Sequence, residues 1–266
     1  MITVPYVARL GTLMATAAGL LVLPFLLPTS TQSTSYHDFS DQRSLFGMAN
    51  FLDVMSNLPF VAIGVSGLVF LSADGRCRSA FRNQTERWPY LLFFLGVALT
   101  GAGSSYYHLA PDNARLLWDR LPMTLAFMSL LAATLTERVG PSAGLRLLLP
   151  LIAWGVANAG YWQISASLGI ENLTPYLVVQ YGCITLVLLA TALFPSPYTR
   201  ENDIYVAALW YLLAKVFESF DSLVFTWGGL VSGHSLKHLC AACAVYQVLR
   251  TLRMRSRKQS VLHRRA

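Results

Sequence analysis

Charge is scarce in this chain of 266 residues. Only 12% are Asp, Glu, Lys or Arg, against about 25% in soluble domains, too few to clothe a water-soluble globule. Cysteine is scarce too. Cys77, Cys183, Cys240 and Cys243 are too few and too apolar in setting for a disulfide framework. The CxxC spacing of Cys240 and Cys243 falls inside an apolar segment and reads as small packing residues. Strand-like alternation is missing, which excludes a membrane barrel and leaves helices to satisfy the backbone in lipid. No internal repeat or low-complexity tract is present. Acidic residues are outnumbered by basic ones, 13 against 20, for a net charge of +7. The basic residues gather in loops and in the tail, the pattern of a topogenic signal rather than of nucleic-acid binding.

What is present is apolar: 55% of residues are hydrophobic. A spanning helix takes about 20 apolar residues, so the length suits roughly seven or eight in one membrane-embedded domain, 1–266. An all-α, polytopic membrane helix bundle is expected. Apolar segments predict helices over 7–28, 46–71, 88–109, 116–136, 144–164, 174–194, 203–225 and 229–251. The first is long for a signal sequence and reads as a span, with cleavage left open. The loop 72–87 carries Arg76, Arg78, Arg82 and Arg87, and the tail, 252–266, carries Arg253, Arg255, Arg257, Lys258, Arg264 and Arg265. Lys and Arg favour the cytoplasmic side. Both termini are therefore expected inside, and the segments around 29–45, 110–115, 165–173 and 226–228 outside. The short loops suggest a multi-pass protein of a bacterial inner membrane.

Ionisable side chains inside a span are costly and mark sites. His108 falls at the outward end of its span and Asp119 at the outward start of the next. His234 and His238 fall in the first turns of the last span. Asp38 and Asp41 precede the second. All are expected at one depth, toward the outer face. His234 and His238, four apart, share a helix face. Three imidazoles with an open position are the donor set of catalytic zinc, which activates water and polarises a carbonyl. Asp119 then suits a general base. Ser104 lies four residues before His108, on the same side of the helix, and suits an oxyanion donor. A lone membrane histidine is more often a packing residue; three at one depth beside an aspartate favour the metal.

The arrangement Ser104-x-x-x-His108, Asp119 eleven residues on, then His234-x-x-x-His238 resembles the alkaline ceramidase family. That family lies within a superfamily of membrane hydrolases that includes the adiponectin-receptor-like proteins. The run from Asn50 to Leu58 is similar to the family's first core helix, and the resemblance extends from about Tyr36 to Arg250. It implies a seven-helix core around zinc, with 7–28 an added N-terminal helix. It further implies hydrolysis of the ceramide amide to a fatty acid and a sphingoid base. His108, His234 and His238 would be the zinc ligands, with Asp119 and Ser104 catalytic. It also implies calcium at Asp38, Asp41 and Asn50, oxygen donors of the kind that ion takes. Phe39 stands where the family has tryptophan and Asn50 where it has glutamate, so weaker calcium binding is expected. The other reading of this segment is a solvated loop with a helix cap.

Lys215, Glu218 and Asp221 are spaced by three and are expected on one helix face, as an internal salt bridge or as part of the site. Arg120 either orients Asp119 or meets a lipid head group. The leading expectation is a zinc-dependent hydrolase whose partners are the membrane and an N-acyl lipid such as ceramide, with oligomeric state open. The alternatives are a metal or proton transporter, which predicts polar residues through the whole depth, and a receptor-like protein with a structural metal.

Overall fold

The computed structural model describes residues 5–73, 75 and 79–258. Arg76, Cys77, Arg78, Arg264 and Arg265 lie outside the described residues. Helices start and stop where the sequence supplies caps and breakers. α1 is Tyr6–Leu26. A turn at Leu45–Met48 follows, with Phe46 and Gly47 both at positive φ. This is why the helix expected from 46 begins only at Phe51, after a left-handed Asn50. α2 (Phe51–Met55) and α3 (Leu58–Ser72) form one interrupted span. The interruption has a side-chain cause: Ser56 Oγ and Asn57 Nδ2 both donate to the Asp53 carbonyl, at 3.0 and 2.8 Å, in competition with the helix ladder.

α4 (Arg87–Leu109), α5 (Asn113–Arg138), α6 (Pro141–Ser167) and α7 (Thr174–Leu193) follow as an up-and-down series. Asp112 caps α5 by accepting from Arg115 N at 2.7 Å, and prolines open α6 and α7, where their missing N–H costs nothing. The segment expected as one helix over 203–225 is broken at Phe220 into α8 (Asp203–Ser219) and α9 (Asp221–Gly228). α10 is Gly233–Met254.

The result is the expected all-α membrane bundle. α1, α2–α3, α5, α6 and α7 are long and apolar enough to cross a membrane. Large apolar side chains such as Phe25, Leu149, Leu209 and Trp227 face outward, as a lipid-facing exterior requires. α1 buries only Leu13 and lies against α7, where Gly182 makes room for Leu20; the other helices make the core.

One end of the bundle is closed by a clasp. Arg255 is buried. It pairs with Glu137 at 2.8 Å, donates to Ala80 O at 2.9 Å and stacks on Tyr198 at 4.0 Å. Residues beyond it pair with the preceding loop: Thr199 N donates to Ser256 O and Lys258 N to Pro197 O. The described part of the tail is therefore docked rather than solvated. The opposite end holds the histidines.

Candidate metal centre

Two helix termini deliver the three histidines. His108 sits in the last turn of α4, and His234 and His238 in the first two turns of α10. The start of α10 is fixed by three side-chain acceptors. Ser232 Oγ accepts from Ser235 N at 3.0 Å, and Asp221 Oδ1 accepts from His234 N at 2.7 Å. These satisfy amides that a helix start leaves free. Asp53 Oδ1 accepts from the Ser235 hydroxyl at 2.6 Å, tying α2 to the same turn. Gly233 has no side chain because none fits: a Cβ would stand 2.7 Å from the Asp221 Cα.

The three ligand-type nitrogens lie within 4.8 Å of one another, and all three residues are buried. The ring centres form an equilateral triangle with 4.9 Å sides. Imidazoles bound to one tetrahedral ion at about 2.0–2.1 Å have ring centres about 5 Å apart, so the spacing fits a single ion. Nδ1 of His108 is buried without a hydrogen-bond partner. Nδ1 of His238 meets Ser56 Oγ at 2.8 Å, which leaves Nε2 for the centre and fixes the ring as outer partners of metal-bound histidines do. Lys237 Nζ stands 2.9 Å from His234 Nε2, with Glu218 Oε1 at 3.4 Å on its other side. A three-histidine group able to hold a metal ion is thus present.

Asp119 and Ser104 meet beside the triangle. Ser104 stands beside the Asp119 carboxylate, and both line a cavity of about 380 Å³ together with His238 and Lys237. Their approach follows from two residues. Pro122 lacks the N–H that would bond Trp118 O, and Gly103 on α4 packs directly against that carbonyl. From this polar end the cavity continues between α4, α5, α7, α8 and α10 along Val97, Leu130, Val187 and Val248.

No family model matches the chain, and no curated protein matches it.

The segment with Asp38, Asp41 and Asn50 is built differently from a calcium cage. Both oxygens of Asp41 are held by Arg43, at 2.8 Å each, and this hydrogen bonding keeps the carboxyl below the usual range. Asn50 Nδ2 donates to His108 O at 2.8 Å, bracing the last turn of α4. Asp38 is exposed at the end of a 3₁₀ turn, Thr34–His37. Calcium here would have to displace the Arg43 guanidinium.

Lys215, Glu218 and Asp221 divide their work because the helix breaks between them. Lys215 and Lys237 both pair with Glu218. Asp221 turns away to His234 N and, through Oδ2, to Ser40 N at 3.0 Å. Arg120 is buried among Tyr36, Trp162 and Tyr176.

Several site residues escaped the sequence reading. Phe39 lies over the triangle, its ring 4.6 Å from His108 and 4.5 Å from His234, and nothing in its local sequence signals that. Asn57 lines the cavity with Oδ1 buried and unpartnered; an asparagine inside an apolar span was the available signal. Lys237 was visible as a charge three residues from His234.

Proposed function

We propose that the chain is a zinc-dependent membrane hydrolase that cleaves the amide of ceramide-like N-acyl lipids. The observation that carries this reading is that Asp119, Ser104 and His238, one corner of the histidine triangle, share a cavity lined largely by apolar residues. Its volume falls within the range of small-molecule sites, about 300–1,000 Å³. The resemblance to alkaline ceramidases supports the same chemistry.

Zinc held by His108, His234 and His238 would lower the pKa of a bound water toward about 7 and polarise the amide carbonyl. The chain's own groups do the rest. Asp119 takes a proton from the attacking water and returns it to the leaving nitrogen. Water oxygen joins the carbonyl carbon, the C–N bond breaks, and a fatty acid and a free amine result. Ser104 holds Asp119 in place in the resting site and turns its hydroxyl to the developing oxyanion. The apolar wall takes the acyl chain and keeps bulk water from the site.

A transport pathway would need polar residues through the full depth, and the apolar half of the cavity speaks against that. A purely structural metal would leave no role for a cavity at Asp119. The basic clasp around Arg138, Arg255 and Lys258 supports a cytoplasmic position for that end, with the metal centre toward the outer leaflet of a bacterial inner membrane.

The test is metal content of detergent-purified protein beside His238→Ala, followed by release of fatty acid from N-acyl lipids. About one zinc per chain in the wild type, with zinc and hydrolysis both lost in the variant, is expected. Well-folded wild-type protein without zinc, or an active His238→Ala, would refute the assignment.

A further inference from the structure

The cavity has a floor that the hydrolase reading does not use. Leu130 on α5, Ile204 on α8 and Val248 on α10 are the lining residues farthest along their helices from Asp119, Glu218 and His238. The same three side chains line a second, smaller cavity of about 50 Å³. Leu130 and Ile204 pack against the buried cluster that holds Val248. These three therefore stand between the two spaces. The second space is polar. One turn past the floor α5 supplies Thr134 and α10 supplies Thr251, and Glu137 and Arg255 of the clasp share the wall.

Above the floor the wall on these helices is apolar: Met123, Ala126 and Phe127 on α5, and Ala241, Ala244 and Val245 on α10. An alkyl chain fits that wall and gains nothing from charged groups beyond it. At 1.5 Å per residue, Val248 lies about 15 Å along α10 from His238, and Leu130 about 16.5 Å along α5 from Asp119. An extended alkyl chain advances about 1.25 Å per carbon, from a C–C bond of about 1.52 Å and an angle of about 111°. About 12–13 carbons then fit between a carbonyl held at His238 and the floor. Lipid tails are as apolar as this wall, so burial alone does not favour one chain over another. Fit does: a short chain leaves a void above the floor, and a long one overpacks it.

We propose that Leu130, Ile204 and Val248 set the acyl length of the substrate, so that N-acyl groups of about 12–14 carbons are preferred. The inference rests on the reading of this cavity as the site of a lipid amide and adds the length of chain it takes. The acyl half is the one that enters, because it carries no polar atom past the carbonyl. A sphingoid base carries hydroxyls beside the nitrogen, and these belong at the polar end with Asp119, Tyr36 and Glu218.

The test is competition. The full-length protein in mixed micelles hydrolyses one pool of ceramides that share a sphingoid base and differ only in N-acyl length, and the released fatty acids are counted by mass spectrometry. A second pool varies the sphingoid base at fixed acyl length and should give a flat profile. With the first pool the wild type is expected to peak at about 12–14 carbons. Chains about four carbons longer should react about 5- to 100-fold more slowly, the range that overpacking gives. Ala244→Leu fills the wall one turn above Val248. It should move the peak about two to four carbons shorter, since a turn of about 5.4 Å spans about four. Val248→Ala lowers the floor and should move the peak about two carbons longer. A flat wild-type profile, a peak that neither variant moves, or a profile that follows the sphingoid base instead overturns the inference. Should Ala244→Leu fail to fold, Val248→Ala decides. Displacement of a fluorescent fatty acid by fatty acids of graded length separates the two readings. The same peak in binding, moved by the same variants but without turnover of any N-acyl lipid, would sink the hydrolase reading alone; turnover without a peak would sink this inference alone.

Discussion

Gly103→Ala is the smallest change that should disable the site without touching a ligand. α4 and α5 meet with Gly103 against the Trp118 carbonyl. A Cβ placed there overlaps that oxygen and stands 2.9 Å from its carbon. Both atoms are backbone, so no rotamer relieves the clash. Non-bonded carbon contacts settle near 3.5–4.0 Å, so the helices must part by about 1 Å. Overpacking of this kind costs about 1–3 kcal/mol. The displacement falls one residue from Ser104 and one from Asp119, the pair it separates. A misplacement of about 1 Å in a catalytic pair lowers rate about 100-fold. Gly160→Ala on α6 is the matched control, because nothing lies within 4 Å of its added Cβ. There the substitution removes glycine's backbone freedom and is worth roughly 0.5–1 kcal/mol in favour of the fold. Thermal melting in detergent and N-acyl lipid hydrolysis are measured on both variants. Gly103→Ala should melt lower and lose about two orders of magnitude in rate, while Gly160→Ala melts at or above the wild type with full rate. Wild-type melting and rate in Gly103→Ala would refute the packing argument.

Ser56→Ala removes the partner of His238 Nδ1 and should weaken metal affinity about 10–100-fold, read by competition with a chelating dye; unchanged affinity would show the ring is held by something else. Arg43→Ala should lower the melting temperature at neutral pH. Because Arg43 holds the Asp41 carboxyl below its usual range, the pair's contribution is complete above that range and vanishes as pH falls through the lowered value. The gap between wild type and variant should therefore close in acid, and a gap that widens there would count against the pairing. Arg255→Ala strands Glu137 in the clasp, where the two side chains are 3% and 14% exposed, and breaking such a buried pair costs about 3–5 kcal/mol. Detergent unfolding should place it well below the wild type, with zinc content unchanged, since the clasp is at the other end of the bundle.

The helices were legible because lipid demands long apolar runs, and these stand out in any sequence. The triad was legible because His234 and His238 repeat at one helical turn, and His108 and Asp119 flank one short loop. The breaks were not. Phe220 carries no proline or glycine signal; the chain turns there so that Asp221 can reach His234 N and Ser40 N, partners distant in sequence. The second span begins late because Phe46 and Gly47 form a turn that hydropathy reads as continuous helix. Asp41 looked like a cation ligand from its type, but Arg43, two residues away, already occupies it. Arg120 could be read from sequence as orienting Asp119 or as meeting a lipid head group, and only packing brings three aromatic rings around it.

The single carboxylate of Asp221 joins the first turn of α10 to the segment that carries Phe39 over the histidines. Lifting that ring by way of the segment strains the same bond that holds His234 in place. Opening from this side and loss of a ligand are thus one event, governed by the rate of local unfolding rather than by side-chain motion. An ion taken up as the bundle assembles would exchange slowly afterwards, on the timescale of that unfolding.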